Sequence, residues 1–185
     1  MKPYPTLHTE RLILPEFTPE DAPEVGRLIG AWEVVRTLQD VPYPVEEGWA
    51  ERFIDDSRRA FEAGESVSFA MALREGSQLV GSVLLKLNPR DDNGELAYFV
   101  GVPFWGCGYA TEAVKEVVRY GFEEQGLHRI HANHFGSNPA SGKVMRKIGM
   151  SNEGIRPEHY KRWEAYEDRV DYGLLARDWR KLKRK

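Results

Sequence analysis

Between two apolar segments the chain reads Trp105-Gly106-Cys107-Gly108-Tyr109-Ala110, with two glycines separated by one residue at the point where strand-like alternation gives way to a helix. Glycine lets a backbone adopt conformations in which amide groups approach a bulky anion closely. The helix that follows offers unpaired N–H groups and the positive end of its dipole. Such a segment is chemically suited to cradling a diphosphate. It is not a P-loop, because no Lys-Ser/Thr pair follows the second glycine. Nor is it a G-x-G-x-x-G dinucleotide loop, because the third place is Thr111. Taken alone, the loop reads equally well as a tight strand-to-helix turn.

The elements on either side must position that loop. Glu95 to Val100 is a strand, led into by the turn Asp91-Asp92-Asn93-Gly94. After the loop, Ala110, Ala113, Val114, Val117, Val118, Gly121 and Phe122 fall on one helical face, while Glu112, Lys115, Glu116, Arg119 and Glu123 fall outside it. Gly126 ends this helix. A strand follows at Arg129 to Phe135, then Asn138 caps a helix with Pro139 at its first position, closed by Gly149. Upstream, a strand is expected over Thr9 to Leu14. Thr18 then caps a helix that starts at Pro19, and a second helix spans Glu46 to Ala63. Trp32 to Val45 between them reads as a loop. Strands over Val67 to Leu73 and Leu79 to Leu87 precede the loop region, and two short strands near Asn152 to Arg156 and Arg169 to Leu175 finish the chain. The fold expected is α+β, a mostly antiparallel sheet of about seven strands with helices crossing it.

The chain has 185 residues, 41% hydrophobic and 30% charged, which suits one well-filled core. One domain over residues 1–185 is expected. No apolar run is long enough to span a bilayer, and the opening residues lack the apolar core of a signal peptide, so a cytoplasmic location is expected. The single cysteine, Cys107, excludes an internal disulfide and a multi-cysteine metal site. A net charge of −3 argues against nonspecific nucleic-acid binding. The one basic run, Arg177 to Lys185, reads as a solvated, fraying tail.

The loop and its setting resemble motif A of the GNAT superfamily, whose diphosphate loop is written Gln/Arg-x-x-Gly-x-Gly/Ala. Gly108 and Ala110 fill its last two fixed places, whereas the first is Trp105. That departure is typical of the RimJ/RimL-like branch, which Trp105 to Ala113 resembles almost letter for letter. Thr9-Glu10-Arg11-Leu12, Gly126 to Ile130, Asn138 to Ser141 and Lys147 to Met150 resemble further segments of that branch, in order, over nearly the whole chain.

The resemblance implies a twisted GNAT sheet with helices on both faces, acetyl-coenzyme A as co-substrate with no metal, and transfer of the acetyl group to an amine. It implies that two central strands splay apart around the pantetheine arm. Phe99, Val100 and Val102 would contact the arm, as would Asn138 from the other side. Gly106, Cys107, Gly108, Tyr109, Ala110 and Thr111 would hold the diphosphate. Transfer needs a neutral amine, a donor for the developing oxyanion and a proton for the leaving thiolate. The oxyanion donor is expected to be a backbone N–H near Val100, and the thiolate donor Ser141. Glu158 is the expected general base, with His159, His134 and water as alternatives. Glu112 reads as structural and Cys107 as a filler position. The acceptor, a protein N-terminal amine or a small amine, would enter between the Trp32–Val45 and Pro157–Asp168 loops, whose aromatics Trp32, Tyr43, Tyr160, Trp163 and Tyr166 either enclose it or pack the loops down. A noncatalytic acyl-coenzyme A module is the reading from another class. A homodimer is compatible with the fold.

Overall fold

The computed structural model describes residues 3–183. Eight strands form one sheet: β1 (Leu7–His8), β2 (Leu12–Leu14), β3 (Ser66–Leu73), β4 (Leu79–Asn88), β5 (Asn93–Val100), β6 (Arg129–Phe135), β7 (Ser151–Arg162) and β8 (Ala165–Leu175). Their spatial order is β1-β2-β3-β4-β5-β6-β8-β7. Every neighbouring pair is antiparallel except β5 and β6, which run parallel. The parallel pair is where the chain must cross over, and the crossing element is α4 (Tyr109–Glu123). The α+β fold expected from the sequence is what the structure shows.

Helices cover both faces. On one, the apolar stripe of α4 places Val114, Val117 and Val118 in a fully buried cluster with Leu85, Ile130 and Ala132 of the sheet, and α5 (Pro139–Lys147) adds Met145. Gly121 sits where α4 comes closest, since a Cβ there would lie 2.7 Å from Ile130 Cδ1. On the other face, α1 (Ala22–Ile29) and α3 (Trp49–Glu62) bring Val25, Leu28 and Ile54 against Ala70, Leu79 and Phe99. The turn into α1 closes as the sequence suggests, with Thr18 N–H donating to the Asp21 carboxylate at 2.7 Å. Two separate cores thus hold one sheet from opposite sides.

Four expectations differ from what forms. The first strand is broken into a small hairpin, β1 pairing β2, because Thr9 to Arg11 turns out of the sheet to meet α4. The Trp32–Val45 loop contains a short helix, α2 (Trp32–Val35), which buries Val34 and Val35. The Pro157–Asp168 segment is mostly not loop: β7 and β8 continue to Arg162↔Ala165, with irregular pairing around Pro157 to His159 that lets the strand pass a residue unable to donate. The basic C-terminal run is likewise no loose tail as far as it is described. Ala176–Leu182 forms α6, and Trp179 is buried against Phe122, their ring centroids 6.0 Å apart. One large aromatic is enough to dock an otherwise charged helix; Arg184 and Lys185 lie outside the described residues. No described helix is long and apolar enough to cross a membrane.

Candidate active site

The parallel pairing of β5 and β6 lasts from Asn93↔Arg129 to Leu96↔Ala132 and then stops. Beyond it β5 stays with β4 as far as Val100↔Gly81, and β6 stays with β8 as far as Phe135↔Arg169. Each strand follows its outer neighbour, so the sheet opens between them. Gly81 is needed at this point, since a Cβ there would lie 2.2 Å from the Phe99 carbonyl oxygen. Gly101 N–H bonds to Val80 C=O at 2.9 Å. By the alternation of an antiparallel ladder, the main-chain groups of Phe99 also face β4, and those of Tyr98 and Val100 face the opening. The result is an unpaired strand edge in the middle of the molecule.

A cleft of about 760 Å³ runs through this opening. At one end lies the glycine loop. Gly106 and Gly108 both take left-handed backbone conformations, at φ 77° and 84°, which other residues adopt at a steric penalty. The first bond of α4 is Glu112 N–H to Gly108 C=O, so the N–H groups of Tyr109, Ala110 and Thr111 are left without intrahelical partners. Around Gly106 there is open space where a Cβ would stand. A strand edge followed by such a cradle fits the pantetheine arm and diphosphate of coenzyme A. Trp105, the departure from the motif-A pattern, donates its indole N–H to Val100 C=O at 2.6 Å and so occupies that acceptor at the strand end. Lys143 and Lys147, one turn apart on α5, line the same cleft and add positive charge that the sequence had not singled out.

Across the opening stands α5. Asn138 caps it, its side-chain oxygen 3.4 Å from Ser141 N–H, and both residues line the cleft. The Ser141 hydroxyl lies 2.8 Å from the phenol of Tyr98, which also donates to the Ser141 carbonyl at 3.1 Å. Burial pushes the Tyr98 phenol up to about 12, so it stays protonated and is a donor at neutral pH. Sequence reasoning missed this pair because its members lie 43 residues apart.

The other expected residues divide. Phe99, Val100, Gly106, Gly108, Tyr109, Ala110 and Thr111 line the cleft; Val102 and Cys107 are neighbours on the loop but do not. His134 lines it too, yet its Nδ1 pairs with Phe135 C=O at 2.6 Å and its ring packs on Tyr172. Glu158 and His159 lie outside, on the irregular stretch of β7. Glu158 there takes a left-handed conformation (φ 49°), with its own N–H tied to Asp168. The cleft carries instead Glu95, whose carboxylate accepts from Asn133 at 3.0 Å and lies 4.0 Å from Arg169. Glu95 is the one carboxylate in the strand Glu95 to Val100, which was the signal available in the sequence. None of the five loop aromatics lines the cleft. Trp32, Tyr43 and Trp163 pack on one another at 4.9–6.4 Å, with Arg162 4.4 Å above Trp163, and so join the two loops. Tyr160 packs on Phe135 and accepts from Arg169.

The arrangement can bind a long, anion-bearing thioester and admit a second reactant from the α1–α3 side. Comparison with known proteins agrees with it. Residues 11–151 match the family model of the acetyltransferase (GNAT) domain. The [ribosomal protein uS5]-alanine N-acetyltransferase of Escherichia coli K12 is 25% identical over 182 residues, covering 94% of this chain and 92% of that protein. The acetyltransferase (GNAT family) of Bacillus anthracis superposes with a TM-score of 0.84 at 25% identity, over 94% of this chain and 99% of the other. RimL, the ribosomal L7/L12 α-N-protein acetyltransferase solved with coenzyme A, reaches a TM-score of 0.84 at 15% identity, over 92% and 98%. A glycine cradle, an opened strand edge and a family match over most of the chain converge on one conclusion: the chain belongs to the GNAT acetyltransferases, as an acetyl-coenzyme A-dependent N-acetyltransferase with relatives in the RimJ/RimL-like branch.

Proposed function

We propose that the chain acetylates a protein N-terminal amine, of the kind acetylated by its ribosomal-protein-modifying relatives. The observation that carries the catalytic reading is the open edge of β5 at Val100 on one side of the cleft and the Ser141 hydroxyl on the other. Residues 106–111 would hold the diphosphate. Tyr98, whose main-chain groups also face the opening, would pair with the pantetheine amides beside Val100, and Phe99 would touch the arm through its side chain. Val102 and Asn138 would complete its contacts. Bound acetyl-coenzyme A supplies an already activated thioester, so the chain needs no nucleophile of its own.

Val100 N–H, turned into the opening, would donate to the oxygen on which charge gathers. Ser141 would pass to the departing sulfur the proton that the attacking nitrogen gives up in the tetrahedral intermediate, with Tyr98 behind it fixing the hydroxyl. The base is assigned to Glu95 rather than Glu158, because only Glu95 lines the cleft. Its proton uptake, directly or through water, would leave the amine neutral for attack. The acceptor would enter past Leu38, Trp49 and Phe53 of the α1–α3 side, with Asp40 at the rim. Glu95→Gln is expected to lower kcat about 100-fold, while Glu158→Gln changes kcat by less than about twofold. A larger loss from Glu158→Gln than from Glu95→Gln would return the base role to Glu158.

The experiment that tests the acceptor is a thiol-release assay over N-terminal peptides, polyamines and aminoglycosides. The expected result is turnover that follows the peptide's first residues. Turnover confined to polyamines or aminoglycosides would move the assignment to a small amine. Coenzyme binding with no turnover on any amine would mean a noncatalytic module.

A further inference from the structure

The segment Thr9 to Arg11, which breaks the first strand, makes an unusual set of contacts with the start of α4. Glu112 Oε1 accepts from Thr9 Oγ1 at 2.6 Å and from Arg11 N–H at 2.7 Å. Glu112 Oε2 accepts from Arg11 Nε at 2.7 Å and Nη2 at 2.6 Å. Burial alone would raise the Glu112 carboxyl, but these bonds outweigh it and hold the group below its ordinary range, so it is ionised at neutral pH. The remaining arm of the guanidinium, Nη1, donates to Cys107 C=O at 3.0 Å, and its face lies 4.8 Å above the ring of Tyr109. Arg11 Nη2 lies 3.4 Å from where a Cβ on Gly108 would stand. One side chain therefore joins the N-terminal segment, the first turn of α4 and the glycine loop.

We propose that Arg11 is a positioning residue for the diphosphate loop, clamped by Glu112 so that it sets the orientation of the Cys107–Gly108 peptide. A trans peptide is planar, with C=O and N–H on opposite sides. Pulling Cys107 C=O toward Arg11 therefore turns Gly108 N–H the other way, toward the cleft. That plane joins Cys107 to Gly108, a glycine at φ 84°, and has little else to hold it, since the Cys107 thiol reaches only Trp105 C=O at 3.7 Å. A fixed donor binds an anion better than one that must first be ordered. Lysine would substitute only in part, because the role uses three separate nitrogens of a planar fork. Arg11 itself is neutralised by Glu112 and acts through the loop rather than as an anion ligand.

This inference rests on the reading that residues 106–111 hold the diphosphate of coenzyme A. The test compares kcat/KM for two donors, acetyl-coenzyme A and S-acetylpantetheine, which lacks the diphosphate, in the wild-type chain and in Arg11→Met, Arg11→Lys and Glu112→Gln. The expected result is a loss of about 20-fold with acetyl-coenzyme A in Arg11→Met, a smaller loss in the other two, and less than about twofold with S-acetylpantetheine. Equal losses with both donors would mean a merely structural brace and overturn the proposal; so would no loss with either. Should Arg11→Met fail to fold, Arg11→Lys and Glu112→Gln decide the matter by the same donor ratio. A wild-type chain that does not bind coenzyme A overturns the reading beneath, and this inference with it, in a way the donor ratio does not.

Discussion

Gly108→Pro is expected to weaken coenzyme A binding by at least about 100-fold while the chain stays folded. Gly108 sits at φ 84°, and proline is confined to about −65°, so the loop must leave the conformation that forms the cradle. Proline also deletes the N–H that Arg11 turns toward the cleft, and it pushes Cys107 toward an extended conformation. Losing two or three hydrogen bonds to a charged diphosphate, at about 1.5–3 kcal/mol each, is enough for the stated loss. The fold should persist because the buried stripe of α4 starts at Ala113, beyond the substituted residue. Titration calorimetry with coenzyme A measures the first expectation and a thermal melt the second. Unchanged affinity in a folded variant would remove the glycine loop from the donor site.

The second large effect is on turnover rather than binding. Ser141→Ala should lower kcat by roughly 100-fold and leave the coenzyme A dissociation constant within about twofold. The hydroxyl is the group on α5 that lines the cleft with a protonated donor behind it, so its removal separates the departing sulfur from its proton source. Little stability should be lost, because Tyr98 keeps the Ser141 carbonyl as a partner at 3.1 Å and no buried phenol is orphaned. Stopped-flow thiol release and equilibrium binding together distinguish the two quantities. An alanine variant with wild-type kcat would show that the serine is only a residue suited to the first turn of its helix, which is the other role its position allows.

How far the sequence could be read depended on the range of the interaction in question. The α4 helix was evident because its apolar stripe repeats at the helical period, and the strands around it because theirs alternate. The Asn138 cap and the glycine loop were visible for the same reason: caps and tight turns are made by neighbours in the chain. The long β7–β8 hairpin was missed, since Gly154 and Pro157 interrupt its alternation and cross-strand pairing carries it over the break. So was α6, whose charges suggest a tail and whose docking depends on one tryptophan finding Phe122.

Within the site the division is sharper. Read alone, the chain already displays the glycine loop and the asparagine and serine downstream, and through their resemblance the family. Packing in three dimensions was needed to show that β5 and β6 part after Leu96↔Ala132, that Tyr98 stands behind Ser141, that Glu95 rather than Glu158 faces the cleft, and that Arg11 reaches Glu112, 101 residues away, and Cys107 of the glycine loop, 96 away. The physical reason is common to all four. Periodicity and turn chemistry act over one or two turns of chain, whereas an opened strand pair and a charge aimed at a loop exist only once distant segments have been packed against the same sheet.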